Sequence, residues 1–571
     1  MKRFLASALC FLLLLTGCST PETKEEKPGI SGTFTGSAMG MKSTIEVEVV
    51  LDNNSISAVN VISHGDTQGI ADAAVNALPQ ILVETQNIEA DNITGATMTS
   101  LGIKNAVKAA LENSGADVNS FKKGTAAAEK TAKEAESYDV VVVGSGMAGL
   151  SAAIDIARNS DLSVVVLEKN AYTGGSSRVC GGGIWAVNSE LNKEIEMDST
   201  KEEMIGFLKD HSEGAELNEA LLSNIYDGAA EIIEYYYNNG LPVVLDTWSL
   251  GHPESKLPVL WSKYNKKYPW LVGENGLIDA VAAMAEKEGV EIRLNCKVTE
   301  INAEGDLVTG VQVEDQKNTY EINARKVILA TGGFTRNPEL IETYAPEYAS
   351  GFAFTGAGST GDGIVMTEKF GAQVVGEGMM GLTGYNANYG YYGSEGSLVR
   401  SPVIAVNAEG NDFGMKDVFY SETLKLLIDQ PGNEGYGIYD SSNPDLIDRL
   451  EDAVAKNVMT RYDSLEALAD GMKINAENLQ KTAAEKGLGE APYYGIVIRP
   501  LFIGSIPGLK VDAECRVLNG NDEPVENLFA AGELIFGNAF NGHYPASGTG
   551  VGISAYSGGV AAKAAVAELN Q

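Results

Sequence analysis

The chain has 571 residues, 44% of them hydrophobic, enough for more than one domain and a large core. Its formal net charge of −35 argues against a nucleic-acid partner or an anionic membrane surface and otherwise speaks only to solubility. Five cysteines occur, none in a CxxC or CxxCH arrangement, so zinc, iron–sulfur and attached haem find no support and a disulfide framework finds little.

Lys2 and Arg3 form a charged start, and Leu5 to Leu15 a short apolar run. This is the pattern of a secretory signal, too short to span a bilayer stably. Leu15-Thr16-Gly17-Cys18 resembles a bacterial lipobox. The resemblance implies removal of residues 1–17 and diacylglyceryl attachment to the Cys18 sulfur, which anchors the protein to the outer side of the cell membrane. A plain secretory signal with an incidental cysteine is the alternative. Residues 18–29, polar and proline-bearing, are expected to be a tether.

Residues 30–114 are expected to form a small α+β domain. Alternation over Ile45-Glu46-Val47-Glu48-Val49 and the run Ile56–Ile62 read as strands around an Asp52-Asn53-Asn54 turn. Asp91-Asn92-Ile93-Thr94-Gly95-Ala96-Thr97 then leads into a helix over Leu101–Leu111. That segment resembles the covalent-FMN domain of bacterial flavin-transferase substrates, and the resemblance implies FMN joined to Thr97 through a phosphoester. Helix capping by Thr99 or Ser100 is the plain alternative for these hydroxyls, and it leaves the spacing from Asp91 to Thr97 unexplained. Residues 115–136, rich in Ala, Lys and Glu with no apolar face, read as a solvated linker.

Tyr138 to Ala153 combines a strand over Asp139–Val143, the turn Gly144-Ser145-Gly146-Met147-Ala148-Gly149 and an apolar helical run. This is the context a dinucleotide fingerprint needs. Gly144 allows the tight turn, Gly146 lets a pyrophosphate approach the backbone, and Gly149 lets helix and strand pack closely. A second strand, Leu162–Leu167, ends at Glu168, nineteen residues past Gly149, placed to accept a hydrogen bond from a ribose. An ordinary glycine turn would explain the loop without explaining the acid.

Further on, Gly174-Gly175-Ser176-Ser177, Gly181-Gly182-Gly183-Ile184, Val327–Phe334, Thr360-Gly361-Asp362-Gly363 and Leu528–Glu533 follow in order. Together they resemble the flavoproteins of the fumarate reductase and succinate dehydrogenase family. The resemblance implies non-covalent FAD, because serines stand where that family has its flavin-linking histidine. It places Ala148, Gly175, Ser176, Gly182, Gly183, Val298, Asp362, Glu533, Gly550 and Val551 against the cofactor. The fold implied for residues 137–571 is α/β, a Rossmann-like FAD domain whose two halves form one sheet. An α+β cap, about 336–495, is inserted between them.

At the acceptor site the sequence departs from fumarate reduction. The family's His-Pro-Thr stretch is replaced by Gly381–Asn386, and its C-terminal arginine segment by His543-Tyr544-Pro545-Ala546-Ser547-Gly548. A dicarboxylate would lose its bidentate forks. Tyr544–Gly548 resembles the Tyr-Pro-Gly-Ala-Gly segment of the 3-ketosteroid dehydrogenases, which implies that the Tyr544 hydroxyl and the Gly548 N–H bind a carbonyl oxygen. Tyr420 falls where the family's proton donor stands, His543 is a rival donor, and Arg400 matches a family arginine. The expectation is an exported reductase of an activated C=C bond, an enone or related unsaturated carbonyl, with electrons passing from a membrane donor through FMN to FAD. A fumarate- or urocanate-type reductase, a ketosteroid-type dehydrogenase and a non-catalytic electron-transfer flavolipoprotein are the alternatives.

Overall fold

Four consecutive valines, Val140–Val143, leave no polar face for water, so a strand built from them must be covered on both sides. In the computed structural model they are buried at the centre of a parallel sheet. The structure describes residues 29–40, 43–66, 71–90, 92–93, 96–122, 130–195, 199–246, 257, 259–262, 276–385, 393–418 and 422–571. Residues 1–28 with Cys18, Asp91, Thr94, Gly95, the side chain of Thr97, Asn386 and Tyr420 lie outside the described residues.

Strand Glu136–Val143 pairs in parallel with Val164–Leu167 on one side and Asn318–Leu329 on the other. The end of Asn318–Leu329 also pairs in parallel with Pro524–Ala530, so the fingerprint half and the C-terminal half share one sheet. Helix Met147–Asn159 packs behind the first strand, and the C-terminal helix Thr549–Leu569 packs on that helix through Gly558, where any Cβ would run into the Ala148 carbonyl. The second strand starts at Val164 rather than Leu162, because Ser163 is tied to Asp139 by side-chain bonds at the sheet edge.

The inserted cap is organised by strand Tyr493–Ser505. It pairs with Met379–Gly384, Gly435–Tyr439, Thr460–Tyr462 and Phe352–Ala353 in a six-stranded sheet among the described residues. Helices Pro444–Ala455, Leu465–Met472 and Ala476–Lys486 pack against it around two small cores. The return strand runs past the expected boundary at 495 to Ser505, because its last residues pair with Met379 and Met380 next to the site described below.

The N-terminal domain has its own core. Strands Gly32–Met39, Thr44–Asp52 and Ser55–Ser63 form an antiparallel sheet, with Ile45, Val47, Val49 and Leu51 inward as the alternation requires. Helix Thr97–Ser114 starts four residues before the expected Leu101. Neither Thr99 nor Ser100 caps it: Ala96 is the N-cap, Thr99 donates to the buried Asp66 at 2.8 Å, and Ser100 Oγ accepts the Ile93 N–H at 3.1 Å. The expected linker is narrower than 115–136. Phe121 is buried in the N-terminal core, and Thr131–Ala132 pairs with Asn318–Thr319 of the large sheet.

Candidate active site

Hydrogen-bond register sets the site. Val143 stands opposite Leu167 and Leu329, and Leu329 opposite Ala530, so these strands end in one row. The crevice beyond the carboxyl ends of such strands is where an open α/β sheet binds ligand. A cavity of about 400 Å³ opens there.

The fingerprint turn forms its floor. Gly144 has φ 106 and lies so close to the Ala330 carbonyl that a side chain would collide with it, and Gly149 is equally tight against the Gly144 carbonyl. Gly149 is thus a packing residue and lies outside the cavity lining, whereas Gly144, Gly146 and Ala148 line it. A Cβ at Gly146 would meet nothing nearer than 3.8 Å, so the open space above this turn is free for a pyrophosphate.

Glu168 lines the cavity, but its carboxylate is already engaged. Oε2 accepts from the Ser145 N–H (3.1 Å) and hydroxyl (2.7 Å), and Oε1 from the Asn170 N–H (2.8 Å) and amide (2.7 Å). Four donors fill the roughly four lone-pair positions a carboxylate offers. A ribose hydroxyl can donate here only by displacing one of them. Asn170 Oδ1 and Thr331 Oγ1, both on lining residues, are buried without a hydrogen-bond partner among the described residues, as polar atoms awaiting a polar ligand would be. The glycine cradle and these orphaned atoms fit a dinucleotide such as FAD.

Gly175, Ser176, Gly182, Gly183, Val298, Asp362, Glu533, Gly550 and Val551 also line the cavity. Lys169, which sequence reasoning missed, holds Asp362 at 2.8 Å and Thr360 at 2.7 Å. Burial raises the Asp362 carboxyl, but Lys169 outweighs it and the net shift is downward. Ser505, also missed, donates its N–H to Glu533 at 2.8 Å and its hydroxyl accepts the Phe334 N–H at 3.2 Å. No local signal marks either residue; both act across long sequence separations.

The opposite wall is apolar: Phe354, Met380, Leu382 and Ile503 come from the cap and Phe536 from the C-terminal half. Arg400, at the end of helix Gly393–Arg400, is the only arginine among the described lining residues. Tyr544 and Gly548 line the cavity as well. The Gly550 N–H, in the first turn of the long C-terminal helix, donates to the Tyr544 oxygen at 3.3 Å. Burial pushes the Tyr544 pKa up, the Gly550 N–H opposes it, and the hydroxyl stays protonated. His543 is not among the lining residues; it lies behind them, 7% exposed, its Nδ1 3.3 Å from Glu213.

Residues 139–551 match the model of the FAD binding domain family, and residues 40–112 that of the FMN-binding domain. The chain is 26% identical over 583 residues to urocanate reductase of Eggerthella lenta, covering 92% of each. It is 28% identical over 531 residues to NADH:fumarate oxidoreductase of Klebsiella pneumoniae, covering 86% of this chain and 55% of that relative, so it spans about half that protein's length. Among solved structures, the open conformation of a flavocytochrome c3 fumarate reductase superposes with a TM-score of 0.63 at 20% identity, over 76% of this chain and 79% of that one, a likeness of fold.

Glu533 yields a stability test. Burial pushes its carboxyl up to about 7 despite hydrogen bonds from Ser505 and Gly333. The folded state therefore holds this proton more tightly than the unfolded one, and the stabilisation, full below the unfolded value, is lost as pH rises through about 7. Glu533→Gln should remove that dependence, on the order of 3 kcal/mol between pH 5 and pH 8. Denaturant titrations of the cofactor-free protein at both pH values check it; equal pH dependence in variant and parent would count against the assignment.

Proposed function

The chain belongs to the FAD binding domain family, and from that premise we propose that it is an exported reductase of activated C=C bonds. The observation that carries the reading is the acceptor wall. A protonated Tyr544 hydroxyl, backed by the Gly550 N–H, shares the cavity lining with a largely apolar set of cap residues and one arginine among the described residues. Both relatives named above are, by name, reductases acting on unsaturated acids, which supports the reaction class. Among the described residues the wall offers no second arginine to grip a dicarboxylate, so the reading favours an enone or a related acceptor of low charge over fumarate.

FAD, when bound in its reduced form, supplies hydride to the β-carbon of the acceptor. The chain's own residues then manage charge and proton. Tyr544 donates to the carbonyl oxygen as negative charge develops there, and the Gly550 N–H polarises that donor. Phe354, Met380, Leu382 and Ile503 exclude water from the reacting carbons. Arg400 orients a polar substituent of the acceptor. The α-carbon takes its proton from Tyr420.

Electrons enter, in the same proposal, from a membrane donor through FMN esterified to Thr97, the first residue of helix Thr97–Ser114. Met98 and Leu101 are exposed beside it, and His64 Nδ1 and Asn92 Oδ1 in this domain are buried without hydrogen-bond partners among the described residues, which suits a bound group with apolar and polar faces. Cys18 provides the lipid anchor and a flavin transferase the maturation step.

Three measurements follow from this reading. Turnover of fumarate, urocanate and a panel of cyclic enones by reduced enzyme should favour the enones, and Tyr544→Phe should lose about 10²–10³ in turnover while retaining FAD. Fumarate as the preferred acceptor, or an unimpaired Tyr544→Phe, would overturn the acceptor assignment. Thr97→Ala should abolish flavin that survives denaturation and electron entry from membranes, while a small artificial donor still drives turnover; attached flavin in this variant would move the ester elsewhere, though Thr99, 3% exposed and bonded to Asp66, is a poor candidate. Finally, Cys18→Ala should release the protein from the membrane fraction, and unchanged partitioning would exclude the anchor.

A further inference from the structure

Three carboxyl groups line the cavity among the described residues, and two of them are compensated. Glu168 accepts from four donors, and Asp362 is paired with the Lys169 ammonium at 2.8 Å. Glu533 has neither arrangement. Its Oε1 accepts the Ser505 N–H at 2.8 Å and the Ser505 hydroxyl at 3.3 Å, and the Gly333 N–H also donates to the carboxyl. Glycines let these backbones close on the acid: a Cβ on Gly333 would stand 2.1 Å from Oε1. A Cβ on Gly504 would stand 2.4 Å from the Met380 methyl and 3.2 Å from the same oxygen, so Glu533 sits where the apolar acceptor wall begins.

The elements packed against this acid bring no charge to it. Segment 330–334 and strand Met379–Gly384 contain no ionisable side chain, and Arg499, the one charged residue of strand Tyr493–Ser505, is paired with Glu434 at 2.7 Å. The cations of the described lining are Lys169, held by Asp362 and Thr360, and Arg400. Tyr544 shares the cavity and is neutral. Burial and the hydrogen bonds from Ser505 and Gly333 therefore set the titration of Glu533, with no charge among the causes.

We propose that Glu533 is the acid that binds a proton when the flavin in this cavity is reduced and releases it when the flavin is reoxidised. This rests on FAD occupying the cavity, whichever alkene is the acceptor. Two electrons and one proton added to an isoalloxazine leave one extra negative charge on it. In a site shielded from water, that charge acts strongly on an uncompensated carboxylate. Glu533 answers by taking a proton from solvent: one O–H bond forms, no electron moves at the carboxyl, and the net charge of the cavity stays constant. Transfer of hydride to the acceptor removes the added charge, and the carboxyl proton returns to solvent. Burial pushes the carboxyl up to about 7 against the bonds that favour its charged form. Above that pH it is ionised, and an added negative charge draws it back to the neutral form. The coupling is reciprocal, so a proton on Glu533 favours the reduced cofactor.

The test counts protons taken up by the full-length holoenzyme on reduction. A reduced viologen, a one-electron donor that carries no proton, is added in weak buffer with an indicator dye, in steps from about pH 6 to about pH 9. Across a window above about 7, the parent should take up about one proton more per FAD than Glu533→Gln. Ser505→Ala, which removes a hydroxyl donor to the carboxylate, should move that window to higher pH. A measurement on the parent alone covers the case in which Glu533→Gln does not fold. Its reduced-minus-oxidised infrared spectrum should gain a carboxylic C=O band that shifts with ¹³C-glutamate. Equal proton uptake by parent and Glu533→Gln at every pH, or a parent spectrum without that band, overturns the proposal. A chain whose absorption spectrum shows no FAD overturns the cofactor reading and this proposal together, before any proton is counted.

Discussion

The in-register parallel pairing of Glu136–Val143, Val164–Leu167, Asn318–Leu329 and Pro524–Ala530 is the constraint from which the site follows. Because Val143, Leu167, Leu329 and Ala530 end in one row, the residues that leave those strands are delivered to one line of space. Gly144, Glu168, Thr331 and Glu533 come from four separate parts of the chain, yet all line one cavity. A one-residue slip in any pairing would turn side chains to the opposite face and break the line. Burial of the strands on both faces is what makes such a slip expensive.

The acceptor wall depends on a second contact, between the second glycine segment and the C-terminal segment. Trp185 is fully buried, its indole N–H bonded to the Ser547 carbonyl at 3.1 Å and its own carbonyl bonded to the Tyr556 hydroxyl. Gly548, at φ 88, lies against the indole, where a Cβ would be 2.7 Å from Cδ1. Any larger residue would be excluded both by backbone conformation and by the tryptophan. The start of the long helix, and with it the Gly550 N–H behind Tyr544, is located by that indole.

What the sequence made legible was whatever is decided locally. The fingerprint turn is readable because positive φ and close backbone approach demand glycine at fixed spacing, and Ile45–Leu51 because one face of a strand is buried. The single sheet and the inserted cap were legible only through resemblance to a family, since strand order is a long-range property. The contacts of Ser505, Lys169 and Glu213 were not legible at all. Ser505 meets Phe334 across 171 residues, Lys169 meets Asp362 across 193, and Glu213 meets His543 across 330.

The central strand of the cap carries a mechanical implication. Tyr493–Ser505 is thirteen residues long, pairs with strands across the cap sheet, and ends with Ser505 clasping Glu533 and the backbone of Phe334. It is a lever arm whose load end is the acceptor wall, through Ile503, and whose fulcrum is a buried acid on the cavity floor. Any displacement of the cap along this strand would act on the Ser505–Glu533 hydrogen bond, so the cap is tied to the cavity through a single carboxyl whose burial favours its protonated form.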